Sequence, residues 1–193
     1  MKLSLTTSLA AVAMIAGSVV AFADDDSRAA DLVALKDLHV AFHQGVSHAG
    51  VDAATKLAHV EALLGIFTDD GVIIAGGVTY SGRGTPGTAS CAAGSQTLCD
   101  FFFNHAGGLV LGHDWVSLTP IFTESINVLD DRNADIYFQC IYVDAATFQI
   151  KSNASFGLPS MPGSSRARKV RGHWLFSHVQ VGSYPPPTLD VPQ

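Results

Sequence analysis

Four histidines have the spacing and the company to do acid–base chemistry. His39 lies in the middle of the apolar stripe Leu32, Leu35, Phe42 and Val46, and His43 follows one helical turn later at its edge. His178 comes at even spacing after Trp174 and Phe176 in "HWLFSHVQV", and His113 opens the run "HDWVSLTPIFTESINV". An imidazole titrates near neutral pH, so in a partly dry pocket it can relay a proton or polarise a carbonyl. His39 and His43 are also spaced to chelate, but no HExxH pattern and no third clustered ligand accompanies them. No metal and no other cofactor is therefore expected. For each histidine alone, a hydrogen-bonded core residue is the plainer account.

The elements that must position them can be read from periodicity. An amphipathic helix spans Arg28 to Val46, and a second runs from an N-cap at Asp52 to Phe67, with Leu57, Val60, Leu64 and Phe67 on one face. "TDDG" then ends the helix and "VIIA" reads as a strand, so Asp69 and Asp70 are expected at the helix exit rather than in a catalytic centre. Negative charge is disfavoured at a helix C-terminus, which should turn one of the two toward solvent or backbone donors. Residues 81–98, rich in Gly, Ser and Thr, look like an insertion, and a short helix from Ser95 to His105 carries "DFFFNH".

The C-terminal half is strand-rich. His113 to Val128 alternates as one long strand, with Val116, Leu118, Phe122, Ile126 and Val128 at even positions. "LDDRN" makes a hairpin turn into "ADIYFQCIYVD", where Ile136, Phe138, Cys140 and Tyr142 share a face. The last strand, Val170 to Val181, puts Trp174, Phe176 and His178 on one face. The basic group Arg166, Arg168, Lys169 and Arg171 reads as a solvated loop and strand edge. "YPPPTLDVPQ" cannot continue a sheet, so residues 185–193 should trail as an extended tail.

Composition narrows the setting. Lys2, the apolar stretch Leu9 to Phe22 and the closing Ala21-Phe22-Ala23 form the pattern of a secretory signal peptide, residues 1–23, giving an exported, periplasmic or secreted protein. Cleavage would leave one domain over residues 24–184 with no later stretch apolar enough to span a membrane. Loss of Lys2 would take the net charge from −6 to −7, which argues against a nucleic-acid partner. In an oxidising compartment the three cysteines resolve into a Cys91–Cys99 disulfide within "CAAGSQTLC" and a buried thiol at Cys140. Asn153 starts a glycosylation sequon, meaningful in a eukaryotic secretory route.

Two helices, a strand, an insertion, a short helix and three long antiparallel strands make an α+β plan in which a curved sheet wraps a helix. With "IFTDDGVIIAGGVTYSGRG", "NVLDDRNADIYFQCIYVD" and "RGHWLFSHVQV" in that order, the chain resembles the SnoaL-like branch of the nuclear transport factor two-like superfamily over residues 29–182. The resemblance implies a cone-shaped antiparallel sheet around helices, closing on a mostly apolar pocket for a hydrophobic small molecule. It also implies a homodimer through the outer sheet face. Phe102, Trp115, Phe138, Tyr142 and Trp174, with His43, would wall the pocket.

The superfamily's enzymes fit unevenly. Ketosteroid isomerases place their base about five residues beyond such an Asp-Asp pair, where this chain has Ile74, Ala75 and Gly76, none able to carry a proton. The histidines and tyrosines that scytalone dehydratase aims into its pocket have counterparts in His113 and Tyr80, but Phe42-His43 replaces its tyrosine and aspartate on the first helix. The Asp-Arg-Asp set of limonene epoxide hydrolase is not recognisable, and Arg83, Arg132 and Asp135 read as loop residues. Two functions follow: proton-transfer chemistry of isomerase, dehydratase or cyclase type by His39, Tyr80, His113 and His178, or a noncatalytic ligand-binding or interaction domain.

Overall fold

The computed structural model describes residues 7–47, 55–105, 115–118, 125–144, 146–151 and 161–181. His113, Lys2, Asp52, the sequon at Asn153 and the tail from residue 185 lie outside them. The chain divides into two compact units, Met1–Ala34 and Leu35–Gln193. In the first, the described residues form one helix, α1, which spans Thr7–Gly45 and so contributes its last turns to the second. Among the described residues no helix is long and apolar enough to cross a membrane.

Within the second unit, α1 buries Leu35, Leu38, His39, Phe42 and His43, the 3-and-4 spacing of a single face, and Val46 just past its end continues that face. Helix α2 covers Lys56–Gly65 and buries Lys56, Val60, Leu63 and Leu64, so Leu57 is exposed rather than in the expected stripe. The helix also stops at Gly65, and Phe67 opens strand β1, Phe67–Ala75. Asp69 and Asp70 are thus strand residues, not a helix exit.

Strand β2, Val78–Ser81, folds back on β1 through Gly76 and Gly77, both at positive φ. A short helix α3, Leu98–Asp100, runs into the π-helical turn Phe101–His105. Strands β3 (Trp115–Leu118) and β4 (Ser125–Val128) both pair antiparallel with β5 (Asn133–Asp144), which also pairs with β6 (Ile150–Lys151). Of the long strand expected from His113 to Val128, Trp115–Leu118 and Ser125–Val128 are strand, and the remainder lies outside the described residues.

Strand β7 spans Met161–Val170 and β8 spans His173–Val181. The order through the curved sheet is β2-β1-β8-β7-β5-β3, antiparallel except where β1 runs parallel to β8. Arg166, Arg168 and Lys169 of the basic group are thus residues of an interior strand rather than a strand edge, and Arg171 lies in the turn that follows it. "MPGSSRARKV" hides that role because its inward positions are small: Gly163, Ser165 and Ala167 lie opposite Phe138, Ile136 and Ala134. A Cβ at Gly163 would stand 2.4 Å from Cε2 of Phe138, so the glycine is what lets that ring lie over β7.

The face of the sheet toward α1 carries Phe67, Phe138 and Phe176, stacked against Phe42 at ring separations of 6.3, 6.4 and 5.7 Å. Phe102 extends the cluster, 5.6 Å from Phe67. Burial of such aromatics contributes about 2 kcal/mol or more each, which makes this the organising core.

Candidate functional site

The aromatic core contains two polar groups that an apolar residue of similar size could replace. His39, 1% exposed, and His43, 7% exposed, sit one turn apart on α1 with their Nε2 atoms 2.8 Å apart. The His39 ring lies 4.7 Å from that of Phe138, and His43 is 5.5 Å from the same ring. Cys140, on the Phe138 face of β5, brings its Sγ to 3.7 Å from Nδ1 of His43. Burial, reinforced by His43 and Lys36, lowers the pKa of His39 to about 3, and burial with Lys36 lowers that of His43 to about 4. Both rings are neutral at ordinary pH.

Neutrality fixes what the pair can do. One Nε2 must donate and the other accept, so the two rings hold opposite tautomers. A proton arriving at Nδ1 of the donor ring can push its Nε2 proton across, and the acceptor ring then releases its own from Nδ1. Two imidazoles so arranged can pass a proton without a lasting imidazolium.

The other expected residues do not converge on it in the described contacts. Tyr80 is buried beside Phe101 and His105, with ring separations of 5.1 and 5.6 Å. Burial and the nearby Asp100 raise its pKa, which keeps the phenol protonated. His178 faces away from α1. Ala167 pairs with Phe176 but Arg166 pairs with His178, so Ser177 is an extra residue on β8 and the alternation slips by one. Val179 thereby takes the buried place, and His178 joins Arg166 and Asp135 in a row on the opposite face. Trp174 is buried under Lys169, whose Nζ is 5.4 Å from the ring. For Trp115 and Tyr142 only the strand positions, on β3 and β5, are described.

Three further arrangements were not legible beforehand. Asp135, expected in a loop, is a fully buried β5 residue whose two carboxylate oxygens accept from Arg166 Nε at 2.8 Å and Nη2 at 3.1 Å. Asp100 is fully buried too. It accepts from the amides of Gly94 and Gln96 and from Asn104 Nδ2, with His105 Nε2 at 3.3 Å. The π turn lays His105, five residues on, over Asp100. Burial pushes that carboxyl up, but the hydrogen bonds from Asn104 and Gln96 outweigh it and hold it below the usual range.

The third is a groove of about 820 Å³ where the start of β1, whose pairing with β8 shifts register between Phe67 and Val72, meets the β4–β5 and β7–β8 turns. Asp69 and Asp70 belong to it. Arg83 donates to Asp69 at 3.0 Å, and Arg168 donates to Asp70 at 2.5 Å. The hydrogen bond from Thr68, followed by that from Arg168, lowers the pKa of Asp70. The insertion beside the groove is closed by the expected Cys91–Cys99 disulfide, with Cys140 a buried thiol outside it. Among the described residues no three His, Cys, Asp or Glu side chains group to hold a metal ion.

Solved structures share this architecture. An NTF2-like protein with a cystatin-like fold from Novosphingobium aromaticivorans superposes with a TM-score of 0.59 at 10% identity, over 83% of this chain and 86% of that one. The chain has the nuclear transport factor two-like fold. A protein of unknown function with a cystatin-like fold from Nostoc punctiforme gives 0.56 at 14% identity, covering 85% and 96% of the two chains. A hexachlorocyclohexane dehydrochlorinase, LinA-type3, from Novosphingobium barchaimii gives 0.56 at 16% identity over 81% and 88%. No family model matches the chain, and no curated protein matches it by sequence. At such identities the nuclear transport factor two-like likeness fixes the α+β fold expected for the chain and leaves the chemistry to the residues.

Proposed function

We propose that this chain binds a hydrophobic small molecule on the α1 side of the sheet and moves a proton on it, in an isomerase-, dehydratase- or cyclase-like step. The observation that carries the reading is the 2.8 Å contact between two neutral imidazoles inside an aromatic core. Burying two polar rings costs stability that Leu or Phe would not, and their mutual hydrogen bond offsets part of that cost. A relay suits a reaction that takes a proton from one atom of a substrate and returns one to another. Cys140 beside His43 supplies an adjacent thiol to exchange with. The dehydrochlorinase with the same fold supports the reaction class by analogy. The disulfide suits an oxidising compartment and so supports export.

One observation favours the noncatalytic alternative, in which the same space holds a ligand: Tyr80 and His178 stand away from the pair. The experiment that separates the two is native mass spectrometry of the protein from its own host, followed by solvent-deuterium exchange on whatever molecule is retained. The enzyme reading expects exchange by the wild type and a loss of about a hundredfold or more in His39→Gln and His43→Gln. Exchange no faster than the buffer rate, with the ligand still held by both variants, establishes the binding reading.

A further inference from the structure

We propose that the groove beside Asp69 and Asp70 binds a multivalent oxyanion, a phosphate ester in particular, at a site separate from the histidine pair. Five cations line it: Arg83, Arg132, Arg168, Lys169 and Arg171. Asp69 and Asp70 line it too, paired with Arg83 and Arg168, so with His173 counted neutral the lining residues have a formal charge of +3 on a chain whose net charge is −6. Arg132 has Asp131 nearby, but both side chains are largely exposed and 3.8 Å apart, a contact worth little in water.

The backbone holds these charges together. The amide of Lys169 donates to the carbonyl of Arg132 at 2.8 Å, one residue beyond the Asn133–Arg168 pair of β5 and β7, which sets the β4–β5 and β7–β8 turns side by side. Arg83 is fixed by bonds to the Phe67 carbonyl at 3.0 and 2.6 Å. Arg171 occupies a left-handed turn position, φ 52°, followed by Gly172 at 85°. That place favours Asn or Gly, so the turn itself does not call for an arginine there. Val170 and Leu175 add apolar surface to the lining, enough for the carbon body of an ester beside its charged group. Guanidinium forks suit phosphate oxygens, and the field of a positive groove on an acidic protein attracts anions selectively.

The same chemistry would be offered by a free phosphate compound or by an anionic lipid headgroup. The test titrates the full chain with inorganic pyrophosphate by calorimetry at low salt, and separately measures cosedimentation with phosphatidylglycerol vesicles. Arg132→Ala and Arg171→Asn are the variants, with Arg28→Ala as a charge control outside the groove. The expected result is pyrophosphate binding that weakens about tenfold or more in each groove variant and on raising salt, and not in the control. Vesicle binding lost in the same variants and displaced by pyrophosphate would place the oxyanion on a lipid and still support the site. Absence of pyrophosphate binding, or binding equally weakened by Arg28→Ala, would overturn it. A urea midpoint for each variant shows that the fold is retained.

Discussion

His39 and His43 share one hydrogen bond, 2.8 Å between Nε2 atoms, within the aromatic core formed by α1 and the sheet. That single contact ties together the stability, the pH response and the proposed chemistry of the chain.

The pair makes stability depend on acid. Both pKa values are lowered in the folded state, to about 3 and about 4, from an unfolded value near 6.5. Below pH 6.5 the unfolded chain takes up protons that the folded chain refuses. Stability is therefore fully present above about pH 6.5 and is lost as pH falls toward 4, at up to roughly 1.4 kcal/mol per pH unit for each ring. His178, lowered by burial and by Arg166, adds a contribution of the same sign. Urea unfolding at about pH 7 and about pH 5 should show the loss, and a His39→Leu/His43→Leu double variant should lose most of that pH dependence.

Removing one partner should cost more than removing both. His43→Leu removes the Nε2 hydrogen bond of the buried His39, a loss of about 1–3 kcal/mol, whereas the double substitution removes both polar partners of that bond. A double-mutant cycle in urea measures the coupling. Strictly additive single effects would mean that the rings do not bond.

Gly163→Ala should destabilise the chain by about 1–3 kcal/mol, because its Cβ falls 2.4 Å from the Phe138 ring. Phe138→Leu in the same chain should relieve most of that strain. Thermal unfolding of the single and double variants checks the pairing.

Replacing Cys91 and Cys99 together by Ser should cost about 2–3 kcal/mol, the loop-closure contribution of a short disulfide. Equilibrium unfolding reads it directly, and Cys140→Ser serves as the control for thiol loss elsewhere.

The sequence carried the fold class through strong local patterns, and it lost the details where patterns are weak. The α1 stripe identified the inward turn of His39 and His43 because helical spacing survives a polar insertion. Strand β7 was invisible because Gly163, Ser164, Ser165 and Ala167 have little β-propensity and gain their place only from the large residues opposite them. His178 was assigned to the wrong face because a bulge at Ser177 leaves no mark on composition. The groove eluded reading for a different reason. Arg83, Arg132 and Arg168 are far apart in the chain, and it is the pairing of β5 with β7 and the bonds of Arg83 to the Phe67 carbonyl that collect them. "DFFFNH" did hold a signal, an Asp and a His five apart, but it becomes a contact only when the helix widens to a π turn.

A nitrogen-15 NMR titration of the imidazoles reads the state of the His39–His43 pair directly. The expected result is two neutral rings of opposite tautomer at about pH 6, with His43 protonating near 4 and His39 near 3. Either ring appearing as an imidazolium at about pH 6, or both titrating near the ordinary value of 6.5, would contradict it.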